Sequence, residues 1–187
     1  MILKKLKNYG KDMNVLDLDK ENFRITSDNK TIGGASHTCR VLNHKERHRL
    51  IIKAVVELRK LTVRFDSIAC CGVSGLMVVP QIAEILDKHI LVVRKGTEER
   101  YSDFDLEGVI PESYIIIDDL ICSGNTIRYI KNTIYEECPR AKCFGVYSYI
   151  PSECVYGSNL ESSYKSCKAQ LGITYLNSLY GISKDGY

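Results

Sequence analysis

The segment Tyr114-Ile115-Ile116-Ile117-Asp118-Asp119 constrains this sequence more than any other. Its apolar residues do not alternate with polar ones, so it reads as a strand buried on both faces. Such a strand needs cover above and below, and helices supply that cover in α/β proteins. The flanking sequence keeps the same rhythm. Ser67 to Cys71 is a short apolar run, and Gly72-Val73-Ser74-Gly75 reads as a turn. Leu76, Val79, Ala83 and Leu86 recur at helical spacing, with Pro80 near the start. Ile90 to Val93 and Lys142 to Tyr149 read as strands, Ile127, Ile130 and Ile134 mark a helix between them, and Ile173 to Leu176 adds a late strand. The expected fold is therefore α/β, with a mostly parallel sheet flanked by helices.

The N-terminal part is different in character. Phe23 to Thr26 and His37 to Leu42 are short alternating pieces around Ser27-Asp28-Asn29-Lys30 and Gly33-Gly34, the pattern of a hairpin or small flap. From His44 to Leu61, the residues Ile51, Ala54, Val55, Leu58 and Leu61 predict one amphipathic helix. Residues 1–43 thus read as an N-terminal hood and 44–187 as the α/β core of one compact domain. A chain of 187 residues, 44% apolar, can bury such a core. Its net charge of +3 is far from the strongly basic balance of nucleic-acid binders, so no such partner is expected. No apolar run approaches the ~20 residues of a membrane span, so no membrane partner is expected. The eight cysteines include no Cys-x-x-Cys, and no secretory signal precedes them. Free thiols in a reducing, cytoplasmic compartment are the expectation.

Beyond Asp118 and Asp119 the chain runs Leu120-Ile121-Cys122-Ser123-Gly124-Asn125-Thr126 into a helix. Ligands of parallel sheets bind beyond the carboxyl ends of the strands. A loop that opens a helix offers unpaired N–H groups and the positive end of the helix dipole. Small residues let that backbone approach an anion, and Ser123 and Thr126 add hydroxyl donors. Cys122 to Thr126 therefore read as a phosphomonoester cradle. Asp118 and Asp119 would repel a phosphate and must face something else. Two vicinal hydroxyls fit, as does a divalent cation held directly or through water or the ligand. Ribose 5-phosphate carries a phosphate at one end and a cis-diol beside it. An adjacent Asp pair alone could do no more than cap the next helix; the whole string asks for more. It lacks both Gly-x-x-x-x-Gly-Lys and Gly-x-Gly-x-x-Gly.

At residues 115–127, IIIDDLICSGNTI resembles the motif with which type I phosphoribosyltransferases bind 5-phosphoribosyl 1-diphosphate (PRPP). The similarity in order and spacing extends over roughly Phe65 to Tyr149 and is nearest to the orotate-type members, whose N-terminal hairpin forms a hood. The resemblance implies Mg²⁺-dependent transfer of a phosphoribosyl group from PRPP to a nucleobase, either an orotate-like pyrimidine or a purine, and a homodimer. It implies that Asp118 and Asp119 hold the ribose hydroxyls and, directly or not, the metal. Cys122, Ser123, Gly124, Asn125 and Thr126 would hold the 5′-phosphate. Gly72, Val73, Ser74, Gly75 and Arg94 would bind pyrophosphate, with Lys95 and Arg100 assisting its departure. The stretch Gly96 to Gly108 would be a mobile catalytic loop. It departs from the orotate-type pattern: Arg100 is followed by Tyr101 and Ser102 where a histidine is usual, and Glu98 and Glu99 dilute its charge. A PRPP- or nucleotide-sensing protein on the same fold is the alternative reading. His44 and His48, one helical turn apart, read as a solvated helix start, and Tyr147, Tyr149 and Tyr156 as core or surface residues.

Overall fold

The computed structural model describes residues 41–96, 104–119, 121 and 124–150. Most of the expected hood, the late strand at 173–176, Arg100, Cys122 and Ser123 lie outside them. The described part is a five-stranded sheet with α1 (His44–Leu58) and α3 (Val79–Leu86) packed on one face and α4 (Asn125–Glu137) on the other. Its strands are β1 (Ser67–Cys71), β2 (His89–Val93), β3 (Leu106–Gly108), β4 (Ser113–Asp118) and β5 (Lys142–Ser148), in the spatial order β3-β2-β1-β4-β5. All pairings are parallel except β2 with β3.

The two-sided burial expected of the Ile run has a simple origin. Ile115 and Ile117 join Ile68 and Cys70 of β1 in the core under α1 and α3. Tyr114 and Ile116 join Ala69 and Cys71 against Ile127, Ile130 and Ile134 of α4. Alternate residues of each strand thus feed opposite cores. Helix α1 starts where Asn43 Oδ1 accepts the N–H groups of Lys45 and Glu46, at 3.0 and 3.3 Å.

Four expectations need correction. Residues 41 and 42 are helical, and Val41 is fully buried in the core, so the expected strand His37 to Leu42 does not reach its end. Helix α1 stops at Leu58 rather than Leu61. The segment Gly72 to Gly75 is not a plain turn but most of a one-turn helix, α2 (Gly72–Leu76), entered through Gly72 at φ +68°. A break at Met77 and Val78 separates α2 from α3, whose second residue is Pro80, a position where its missing N–H costs nothing. Finally, the expected loop from Gly96 to Gly108 ends in β3. A three-residue edge strand is too short to show a period. Gly108, at φ +142°, lies so close to Ile90 O that a Cβ would clash.

Candidate active site at the carboxyl ends of β1 and β4

The connections from β1 run through α2 and α3 to β2 on one side. Those from β4 run through α4 to β5 on the other. The crevice between β1 and β4 is the topological switch point, where ligands of open parallel sheets bind. Cys71-Gly72 closes one wall and Asp118-Asp119 the other.

Asp118 is the last residue of β4 and is 5% exposed, while Asp119 is half-buried. Asp119 N–H donates to Asp118 Oδ1 at 3.0 Å. Burial, then the negative charge of Asp119, pushes the Asp118 carboxyl up to about 7; Lys95 opposes the shift. The end of β5 fixes the backbone of the pair. Tyr149 N–H donates to Asp118 O at 3.1 Å and Ile150 N–H to Asp119 O at 3.0 Å. Ser148 Oγ also donates to Asp119 O, at 2.7 Å.

Across the loop, Gly124 is buried with φ +76° and delivers the chain into α4. Asn125 and Thr126 form the first turn of that helix, whose leading N–H groups are the ones a helix leaves unpaired. Arg128 reaches back over this turn, its Nη1 donating to Asn125 Oδ1 at 3.1 Å, and so brings a cation to the cradle.

On the β1 side, a Cβ placed on Gly72 would lie 3.4 Å from Lys95 Cε and 3.7 Å from Nζ. The Lys95 ammonium therefore rests over the Gly72 turn, and its field reaches Cys71 and Asp118. Gly75 fits against β1 so closely that a Cβ would stand 2.6 Å from Cys70 Cβ. Val73 is exposed, and the carbonyl of Ser74 accepts a hydrogen bond from Tyr149 Oη at 3.0 Å.

Asp118, Asp119, Lys95 and Gly72 to Gly75 thus converge on the crevice, with Gly124 to Thr126 opening the helix beyond it. Arg94 does not join them. Its Nε and Nη2 both donate to Glu107 Oε2, at 3.1 and 2.8 Å, tying β2 to β3. Its carbonyl accepts from Tyr129 Oη at 2.7 Å. Successive residues leave a strand end in opposite directions, so Lys95 faces the crevice and Arg94 does not. Tyr149, which reads from the sequence as a core or surface residue, and Arg128 are the additions the structure makes. Tyr147 and Tyr149 fall two apart where β5 ends, and both join the core under α1 and α3 at the functional end of the sheet; that spacing is the available signal.

This architecture is the fold of the type I phosphoribosyltransferases. Among solved structures it is similar to adenine phosphoribosyltransferase from Leishmania tarentolae, with a TM-score of 0.52, 14% identity, and coverage of 87% of this chain and 85% of that one. The Trypanosoma brucei adenine enzyme, solved in complex with AMP, pyrophosphate and ribose-5-phosphate, matches with a TM-score of 0.54 and 14% identity over 75% of this chain and 66% of that chain. Orotate phosphoribosyltransferase from Francisella tularensis matches with a TM-score of 0.54 and 19% identity over 72% and 66%. The chain therefore spans about two thirds of the length of the latter two. No protein-family model matches the sequence, and no curated protein matches it either.

Proposed function

We propose that this protein transfers a 5-phosphoribosyl group from PRPP to a nitrogenous base, releasing pyrophosphate. The observation that carries this reading is the convergence of the Asp118-Asp119 pair, the Gly72 turn under Lys95, and the Gly124 entry into α4 on one crevice. Each part matches one end of the substrate. The N-terminus of α4 receives the 5′-phosphate. The two carboxylates accept the ribose O–H groups, and the Gly72 turn with Lys95 receives the two phosphates of the leaving group.

In the reaction, a nitrogen lone pair of the base forms the C1–N bond while the C1–O bond breaks and its electron pair leaves with pyrophosphate. The nitrogen's proton goes to Asp119 or to water. Positive charge grows on the ribose beside Asp118 and Asp119, and negative charge grows on the leaving group beside Lys95. Catalysis by this chain is therefore positioning plus fixed charge.

Mg²⁺ fits these residues in a limited way. Two adjacent carboxylates are hard oxygen donors, yet among the described residues no three His, Cys, Asp or Glu side chains gather as a metal cluster. That donor set suits an ion that keeps its waters and is held partly by substrate phosphates. Bound there, it would supply charge neutralisation for the pyrophosphate oxygens.

The pairing of Arg94 with Glu107 favours a second reading. It withdraws one expected cation from the leaving group, as in a protein that binds PRPP or a nucleotide without turning it over. One experiment separates the two: protein, PRPP and Mg²⁺ incubated with a panel of purine and pyrimidine bases. Pyrophosphate release with one base supports the transferase. Saturable PRPP binding with no release for any base supports the sensor.

A further inference from the structure

Ser74 lies in the last turn of α2, where helix carbonyls lose their intrahelical partners. Val78 N–H, the donor four residues on, bonds to Gly75 O at 3.1 Å. The hydroxyl of Tyr149 meets Ser74 O instead, at 3.0 Å, across 75 residues of sequence. Tyr149 is 2% exposed, so the donor end of this bond is shielded from bulk water. Its own N–H is bonded to Asp118 O, and that of the next residue to Asp119 O. Burial and the charges of Asp119 and Asp118 push the phenol well up, which keeps it a donor. One residue therefore touches both walls of the crevice: its backbone holds the acid pair, and its side chain holds the Gly72 turn.

We infer that Tyr149 is a positioning residue that sets the Gly72–Leu76 turn against the Asp118-Asp119 pair, and that it governs affinity for the pyrophosphate end of the ligand. The inference rests on the phosphoribosyl-transfer reading. Gly75 already fixes one side of α2 against Cys70. Without the Tyr149 hydroxyl, Ser74 O has lost its cross-sheet donor, and the peptide units that face the anion are free to tilt. Preorganised binding is sensitive to small displacements of this kind. Ribose 5-phosphate relies on Asp118, Asp119 and the α4 entry, whose backbone bonds do not involve the phenol.

The test is calorimetry on the full chain with two probes, inorganic pyrophosphate with Mg²⁺ and ribose 5-phosphate. Tyr149→Phe should weaken pyrophosphate about three- to tenfold, the worth of one neutral hydrogen bond, and leave ribose 5-phosphate within about twofold. Tyr147→Phe is the control. Tyr147, two residues earlier in β5, is equally buried in the same core and donates to Glu57 Oε2 at 2.7 Å on the α1 side. It should lower the melting temperature while leaving both affinities unchanged. Equal pyrophosphate affinity in wild type and Tyr149→Phe overturns the positioning role while the transferase reading stands. Equal weakening of both probes overturns it as well, because the hydroxyl then acts only on general stability. A wild-type chain that binds neither probe overturns the transferase reading and this inference with it.

Discussion

Asp118 is a carboxyl group shielded from water beside a second carboxyl, and in the free protein the Asp119 N–H and the field of Lys95 only partly offset the cost of its charge. Such a residue makes physical sense when a ligand supplies the missing donors. Replacing both acids, Asp118→Asn with Asp119→Asn, should therefore spare the fold and weaken PRPP. The loss of charge-assisted hydrogen bonds to the ribose, each worth about 1.5–3 kcal/mol, predicts binding weaker by roughly a hundredfold or more in calorimetry when both acids are replaced. Unchanged affinity would remove the acids from the ribose site. Gly124 offers a second test at this scale. Its φ of +76° is costly for any residue with a Cβ, by about 1–2 kcal/mol, and a β-branched side chain would also crowd an anion at the α4 entry. Gly124→Val should abolish ribose 5-phosphate binding, with circular dichroism showing that the helices persist. A variant that binds like wild type would place the phosphate elsewhere.

The pair Arg94 and Lys95 shows what a strand end decides that its sequence does not. Both read as cations for the leaving group, yet the alternation of β2 sends one to Glu107 and the other over Gly72. Glu107 was invisible as a partner because β3 is only three residues long and sits inside a polar stretch with no period. By contrast, the Ile run of β4 and the small-residue opening of α4 were legible, since burial on two faces and a helix start each leave a local mark. Tyr149 leaves only its spacing from Tyr147, and its partner is not legible, because the bond to Ser74 joins elements far apart in sequence. The two cations should thus behave differently on truncation. Lys95→Ala should lower kcat/KM for PRPP at least tenfold. Arg94→Ala removes an ion pair whose partners are 40% and 38% exposed, so screening holds its worth to about 0–1 kcal/mol. Its effect should be a melting point lower by a few degrees at most, with kcat/KM within about threefold. A steady-state comparison of the two variants checks this, and equal losses would restore Arg94 to the site.

At the scale of the whole molecule, the strand order β3-β2-β1-β4-β5 places the only buried Asp among the described residues at the crevice of the sheet. The α/β class was legible from the alternation of strands and helices, whereas the order was not, because nothing local says which edge β5 joins. That order gives global stability a distinctive pH dependence. The folded-state pKa of Asp118 is raised from 3.8 to about 7, so between those values the folded protein binds more protons than the unfolded chain. Stability then falls as pH rises through this window and levels off above it. The full shift corresponds to at most about 4 kcal/mol at pH 8. Asp118→Asn mimics the neutral carboxyl and removes the penalty. Urea unfolding at pH 4.5, 6 and 8 should show wild type and Asp118→Asn nearly equal at the lowest pH, with the variant increasingly the more stable as pH rises. Saturating PRPP with Mg²⁺ should reverse the order at pH 8, because the ligand binds the ionised wild-type carboxylate and stabilises the state it binds. A difference that stays flat with pH would mean that Asp118 ionises freely in the fold. A ligand that stabilises both proteins equally would mean that the carboxylate does not meet it.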